Sequence, residues 1–441
     1  MASETAAKIP VPFDVDPLAV HLAAPSTCPF LLQSTAFGTA QGRFDILFAA
    51  PGDRIQLDSE GGLRGGGQAA SFLAALDRVA VRSSSSQRTG GPFNGGWFLL
   101  LGYELAAEVE PSLALPRGKS LPVAVAVRVP VALVRDRQTR TAWIVSEPGY
   151  ADQGLELARL VKSAPGLPAA PGALLAGAVT EEPTEHFLAA VEAAQAHIRA
   201  GDVFQANLSR EWQARAALPM GAAPFYARLR EANPGPFAGL AVFDDYAVIS
   251  SSPERLVSRR ASRIETRPIA GTRPRLASGA GDAPAREELL GHPKERAEHV
   301  MLIDLERNDL GRVCAPGTVH VDEFMTLESY AHVHHIVSNV SGQARPDLTP
   351  AELIRAVFPG GTITGCPKVR CMEIIAELER RPRGFYTGAM GYLGLDGDLD
   401  LNILIRTIVM EDDRVSLAAG SGIVADSVPE RELEETRAKA K

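Results

Sequence analysis

Near its C-terminus the chain reads GFYTGAMGYLGLDGDLDLNILIRTIVMEDDRVSLAAGSGIVADS, residues 384–427. Apolar and polar residues alternate there around Gly and Asp turns, the pattern of an antiparallel meander with one buried face. Such a sheet needs a second layer to cover it. Earlier runs have the same texture: RFDILFAAP, GGWFLLLGYEL, PVAVAVRVPVALVRD, VFQANLSREWQAR and FAGLAVFDDYAVISSSPERLVSRR. Helical periodicity is confined to other segments. TEEPTEHFLAAVEAAQAHIRAGD opens with acidic residues and stops at Gly201; AEHVMLIDLERNDLGRV follows later; PERELEETRAKA starts at Pro429. Strands come in runs and do not alternate strictly with helices, which predicts an α+β fold with large antiparallel sheets.

SAPGLPAAPGALLAGA is a Pro/Gly/Ala stretch with little to bury. It divides the chain into an N-terminal region, 1–162, a linker, 163–180, and a C-terminal domain, 181–441. The formal charge of −8 excludes a generic nucleic-acid or anionic-membrane binder, whose footprint is a basic excess. An anionic substrate would have to be met by local cations or a metal. The four cysteines form no CxxC pair, as expected of a reduced, cytoplasmic protein without structural zinc. No signal peptide and no apolar run of transmembrane length is read in the sequence.

Two acidic pairs stand out. Glu295 and Glu298 precede the apolar run 300–305, and Glu432 and Glu435 repeat the spacing near the chain end. Residues at i and i+3 share a helix face, so each helix can offer two carboxylates to one place. Mg²⁺ prefers such hard oxygen ligands. Solvated carboxylates favouring a helix N-terminus are the alternative, and spacing alone leaves both open. FPGGTITGCPK, 358–368, is a Gly-rich turn carrying Thr362; it lacks the Lys-Ser/Thr of a nucleotide loop and reads as a carboxylate cradle or a plain turn. GSGIV, at Gly420, Ser421 and Gly422, is a second small-residue turn.

Taken in order, PERLV, RPIAGTRPR, KERAEHVMLIDLERNDLGRV, HHIVS, FPGGTITGCPKVRCMEII, YTGAMGYL, LNILIRT, GSGIV and PERELEETRAKA resemble the chorismate-utilising enzymes. These include anthranilate synthase component I, aminodeoxychorismate synthase component I, isochorismate synthase and salicylate synthase. The resemblance implies two antiparallel sheets packed as a sandwich and flanked by helices. It implies Mg²⁺ held by Glu298 and Glu435, with Glu295 and Glu432 acting through water. Arg406, Tyr386, Gly420, Ser421, Gly422, Lys439 and Thr362 match positions that hold substrate, with Glu432 beside them. His335 and Thr272 match positions near the ring hydroxyl that leaves, His335 as a general acid or an orienting group.

Members of the family that add water carry a lysine base where this chain has Gln205, so the resemblance favours amination. Asn207, Gly361 and Asn402 match aminodeoxychorismate synthase, which gives a 4-amino product. Ala270 in PIAGT stands where many of those enzymes carry a lysine proposed to attack the ring, and it points to the 2-amino product of anthranilate synthase. FLLQS puts Gln33 where a tryptophan-inhibited relative reads Glu and keeps Ser34, which marks a Trp-type pocket without its carboxylate. No Gly-x-Cys-x-Gly nucleophile occurs, so ammonia is expected from a separate glutamine amidotransferase. The expectation is therefore 4-amination of chorismate, with anthranilate synthesis as the alternative and a non-catalytic scaffold as a remote one.

Overall fold

The computed structural model describes residues 7–36, 42–82, 90–168, 172–217, 221–275, 287, 289, 291, 293–329 and 333–441. Two antiparallel sheets dominate, with 12 and 11 strands among the described residues. The first runs from Ala7–Val11 at one end, through Phe30–Gln33, Phe237–Val242 and Tyr246–Ser252, to Thr407–Glu411, Arg414–Ile423 and Gln205–Arg215. The second runs from Ile269–Pro274 and Val333–Gln343, through Arg255–Arg260, Leu399–Ile403 and Ala389–Gly394, to Gly96–Leu101 and Ala124–Val129. Strands from before and after residues 163–180 share both sheets.

The sheets pack face to face on aromatic side chains. Phe30 of the first stacks on Phe98 of the second, with ring centroids 4.1 Å apart, and Phe48, Phe93 and Tyr392 fill the space around them. The outer face of the first sheet is covered by Pro17–Ala23, Ala151–Ser163 and Ala222–Ala232. Phe72–Arg82, Pro293–Gly311 and Pro350–Val357 cover the second. The expected sandwich flanked by helices is what forms.

Three runs that look continuous in sequence change sheet part-way. Ala124–Val129 belongs to the second sheet and Val131–Asp136 to the first, with Pro130 between. Proline has no N–H to give a ladder, which makes it a natural place to leave one. The chain crosses again between Ser252 and Arg255, through Pro253 and Glu254, and a third time between Ile403 and Thr407, through Arg406. Arg406 adopts φ +53°, a left-handed conformation uncommon outside glycine. The last two crossings lie side by side: Ser251 N–H donates to the Arg406 carbonyl at 3.1 Å and Ile403 N–H to that of Glu254 at 3.0 Å. This junction, where backbone leaves both ladders, positions the candidate site.

Candidate functional site

Gly420, Ser421 and Gly422 do not form the turn that the sequence suggested but the end of the strand Arg414–Ile423, paired in register with Ser209, Leu208 and Asn207. Glu298, Glu432 and Glu435, from two helices, gather at this strand end. Gln205 opens its strand and donates from Nε2 to Glu298 Oε1 at 3.2 Å. A Cβ on Gly422 would lie 2.5 Å from that Nε2 and 3.7 Å from Glu298 Oε1, so only glycine lets the two side chains meet there. Ser421 Oγ donates to Glu432. Lys439 pairs with Glu435 at 2.7 Å and donates to the Gly420 carbonyl at 2.9 Å. On the far side of Gly420, a Cβ would meet Asn207 Oδ1 at 2.7 Å and the Tyr386 hydroxyl at 2.9 Å. Burial pushes the Tyr386 phenol up to about 12, so it stays a neutral donor.

The helices that carry these groups form for local reasons. Pro429 sits in the first turn of Pro429–Ala440, where its missing N–H costs nothing, and Glu430 and Glu432 favour that positive end. Pro293–Gly311 likewise begins at a proline, and His299, Leu302, Ile303 and Leu310 are buried on its inner side.

A second wall comes from the sheet edge. Thr272 and His335 face each other in register across Ile269–Pro274 and Val333–Gln343; the Thr272 side chain lies outside what is described. His335 Nδ1 lies 3.2 Å from the Gly271 carbonyl, which can only accept, so that nitrogen carries the proton. Burial, reinforced by Arg406, drives the imidazole down to about 4, and it is neutral at physiological pH. Glu295 reaches this wall: a Cβ on Gly271 would lie 2.9 Å from its Oε2.

Arg406 half-emerges at the crossing, donating to Asn233 Oδ1 at 3.2 Å. Beside it sits a residue that the motif reading missed. Glu254 is buried, and burial pushes its carboxyl up to about 7, against the downward pull of the Thr362 hydroxyl, the Ile269 N–H and Arg406. It can hold a proton near neutral pH. Pro253 was its one sequence signal: a proline inside a strand pattern, followed at once by an acid. Arg383 is a second missed residue. Fully enclosed, it donates to Glu379 at 2.7 Å and to the carbonyls of Asn207 at 2.7 Å and Ile363 at 3.1 Å, fixing the Asn207 strand to the Thr362 turn.

Among the described residues, no three His, Cys, Asp or Glu side chains lie close enough together to hold a metal as folded. The donor chemistry nonetheless suits a hard cation: Glu298, Glu432 and Glu435 gather at one strand end, each held by a polar partner that a cation would replace.

Ser34 stands apart, buried in the N-terminal half with its N–H donating to Asp45 at 3.1 Å. A cavity of about 210 Å³ lies at the preceding residue, lined by Gln33, Arg43, Met390, Tyr392 and Asn402, among others; Ser34 does not line it. Gln33 Oε1 accepts from Arg230 at 2.9 Å and Tyr226 at 3.2 Å. Asn402 is tied to Met390 N–H and the Phe237 carbonyl, both at 2.9 Å.

Comparison with known proteins agrees with this geometry. The family model for chorismate binding enzymes matches residues 30–441. The chain belongs to that family and is a chorismate-utilising enzyme of the anthranilate and aminodeoxychorismate synthase type. It is 43% identical to an anthranilate synthase component I-like protein of Synechocystis, over 79% of this chain and 72% of that one. It is also 43% identical to aminodeoxychorismate synthase component 1 of Bacillus subtilis, over 79% and 76%. The crystal structure of anthranilate synthase component I from Streptococcus pneumoniae superposes with a TM-score of 0.79 at 31% identity, covering 92% of this chain and 93% of that one. Among the described residues, no helix is long and apolar enough to cross a membrane.

Proposed function

We propose that the chain aminates chorismate at C4, giving 4-amino-4-deoxychorismate, with ammonia from a glutamine amidotransferase partner. The observation that carries the reading is Glu254: a carboxyl that holds a proton near neutral pH, set beside Arg406 and the Thr362 turn. Loss of the C4 hydroxyl needs a proton on the leaving oxygen, and an acid titrating near the working pH is suited to give it. His335, neutral and acting through Nε2, orients that hydroxyl; the acid role passes to Glu254. Arg406, Tyr386, Lys439 and the Gly420–Gly422 strand end hold the substrate carboxylates by charge and hydrogen bonds. Gln205 is neutral and activates no water, which suits ammonia as the nucleophile. Bound at Glu298 and Glu435, with Glu295 and Glu432 beside them, Mg²⁺ would supply positive charge for a substrate carboxylate.

The engaged amide of Gln33 favours the 4-amino product over tryptophan-regulated anthranilate synthesis. Its acceptor is already used by Arg230 and Tyr226, and position 33 itself carries an amide in place of a carboxylate for an amino-acid ammonium. One observation favours the second reading: Ala270 supplies no nucleophile. Incubation with chorismate, Mg²⁺ and ammonium, with the product identified by mass, decides between them. A 4-amino-4-deoxychorismate is expected; anthranilate with released pyruvate would replace the first reading by the second.

A further inference from the structure

Behind Glu254 lies an acidic cluster that the chemistry above does not use. Glu306, on Pro293–Gly311, is buried, and a Cβ on Gly361 would lie 3.6 Å from its Oε1. Glu254 reaches the same Gly-rich turn through Ile403, whose N–H donates to the Glu254 carbonyl at 3.0 Å and whose Cδ1 a Cβ on Gly360 would meet at 2.8 Å, so the two acids stand at neighbouring positions of one turn. One turn of helix beyond Glu306 is Asp309, whose Oδ2 accepts from Lys368 Nζ at 2.5 Å. Asp309 and Lys368 both line an open groove of about 750 Å³ on the outer side of this helix. Titratable groups thus extend from the site, through the protein, to a wet surface.

We propose that Glu306 and Glu254 work as one acid, in which Glu306 returns a proton to Glu254 after each leaving-group departure and is recharged from the groove through Asp309 and Lys368. This rests on the reading that Glu254 protonates the leaving hydroxyl. The balance is simple. Ammonia bonds to the ring as C4–O breaks; Glu254 gives its proton to the oxygen, which leaves as water, and the new C–N ammonium sheds one proton to solvent. The Glu254 carboxylate takes the proton of Glu306, and solvent in the groove restores that of Glu306, so one proton is taken from solvent for the one released. No oxidant or reductant enters.

The electrostatics suit the role. Burial, with repulsion from Asp309 and Glu254, pushes Glu306 up to about 8, while Lys368 and the Thr266 hydroxyl pull it down. Burial likewise raises Asp309 against the pull of Lys368 and Arg312. Two neighbouring carboxyls that cannot both ionise share a proton and titrate as a pair.

The test compares pH profiles of ammonia-driven chorismate turnover at fixed free ammonia. Glu306→Gln is expected to lower kcat about tenfold, to keep KM within about twofold, and to move the alkaline limb to lower pH. Lys368→Gln removes the cation that restrains Glu306 and should move the same limb the other way. Unchanged limbs in both variants would overturn the proposal, because a packing role changes stability without shifting a limb. Infrared difference titration of the unliganded proteins needs no turnover: a protonated-carboxyl signal at neutral pH should shrink in Glu306→Gln and in Glu254→Gln. Its persistence in full in both would equally overturn the shared proton. If the wild type makes no amine from chorismate while this signal behaves as expected, the amination reading fails and the shared proton stands.

Discussion

Glu254 and His335 are opposite cases of one cost. Each is removed from water, and each keeps the neutral form that burial favours, so the carboxyl holds its proton and the imidazole loses its own. The consequence for stability has a definite sign. Glu254 has a folded value of about 7 above an ordinary 4.5, so its contribution is complete below pH 4.5 and is lost as pH rises through 7. That loss is about 3 kcal/mol for a shift of this size. His335, held down at about 4, destabilises the fold as pH falls from 6.5 toward 4. Urea midpoints should therefore feel these two groups in opposite directions between about pH 4 and 7 and neither of them above it, and Glu254→Gln should uncover a midpoint that rises from pH 4 to 6.5 as His335 loses its proton. A Glu254→Gln profile parallel to that of the wild type over this range would show that Glu254 is ionised throughout.

At the scale of elements, the two acidic helices serve the site only because small residues let them approach it. Gly422 is where this can be tested. A methyl group there would sit 2.5 Å from Gln205 Nε2 and force that amide off Glu298. Gly422→Ala should cut kcat/KM on the order of tenfold while leaving the melting temperature within a few degrees. Wild-type kinetics would show that the Gln205–Glu298 contact is dispensable. Much of this scale was legible beforehand. The proline start of Pro429–Ala440 and the Gly201 stop of Thr184–Ala200 are local signals, and both elements end where those signals stand. The changes of sheet at Pro130 and Pro253 were not legible. A strand pattern resumes beyond each proline, and which ladder a strand joins depends on partners far away in sequence. Glu254 was hidden for the same reason: Thr362 and Arg406, which define its surroundings, lie more than a hundred residues further on.

Over the whole molecule, two sheets made from both halves of the chain depend on one aromatic layer. Phe98 is fully buried and stacked on Phe30 across that layer. Phe98→Ala should cost about 3–5 kcal/mol, read as a shift in urea midpoint. A cost under about 1 kcal/mol would mean that the sheets close without it. The same closure brings the crossing strands together, and with them a buried carboxyl with a raised pKa, a neutral histidine and an arginine. The most direct test of that account is single-residue kinetics on Glu254→Gln with saturating chorismate and ammonia. The account predicts a kcat lower by about 10²–10⁴ with chorismate affinity nearly unchanged. A kcat within a fewfold of the wild type would contradict it, since the proton on the leaving oxygen would then come from elsewhere.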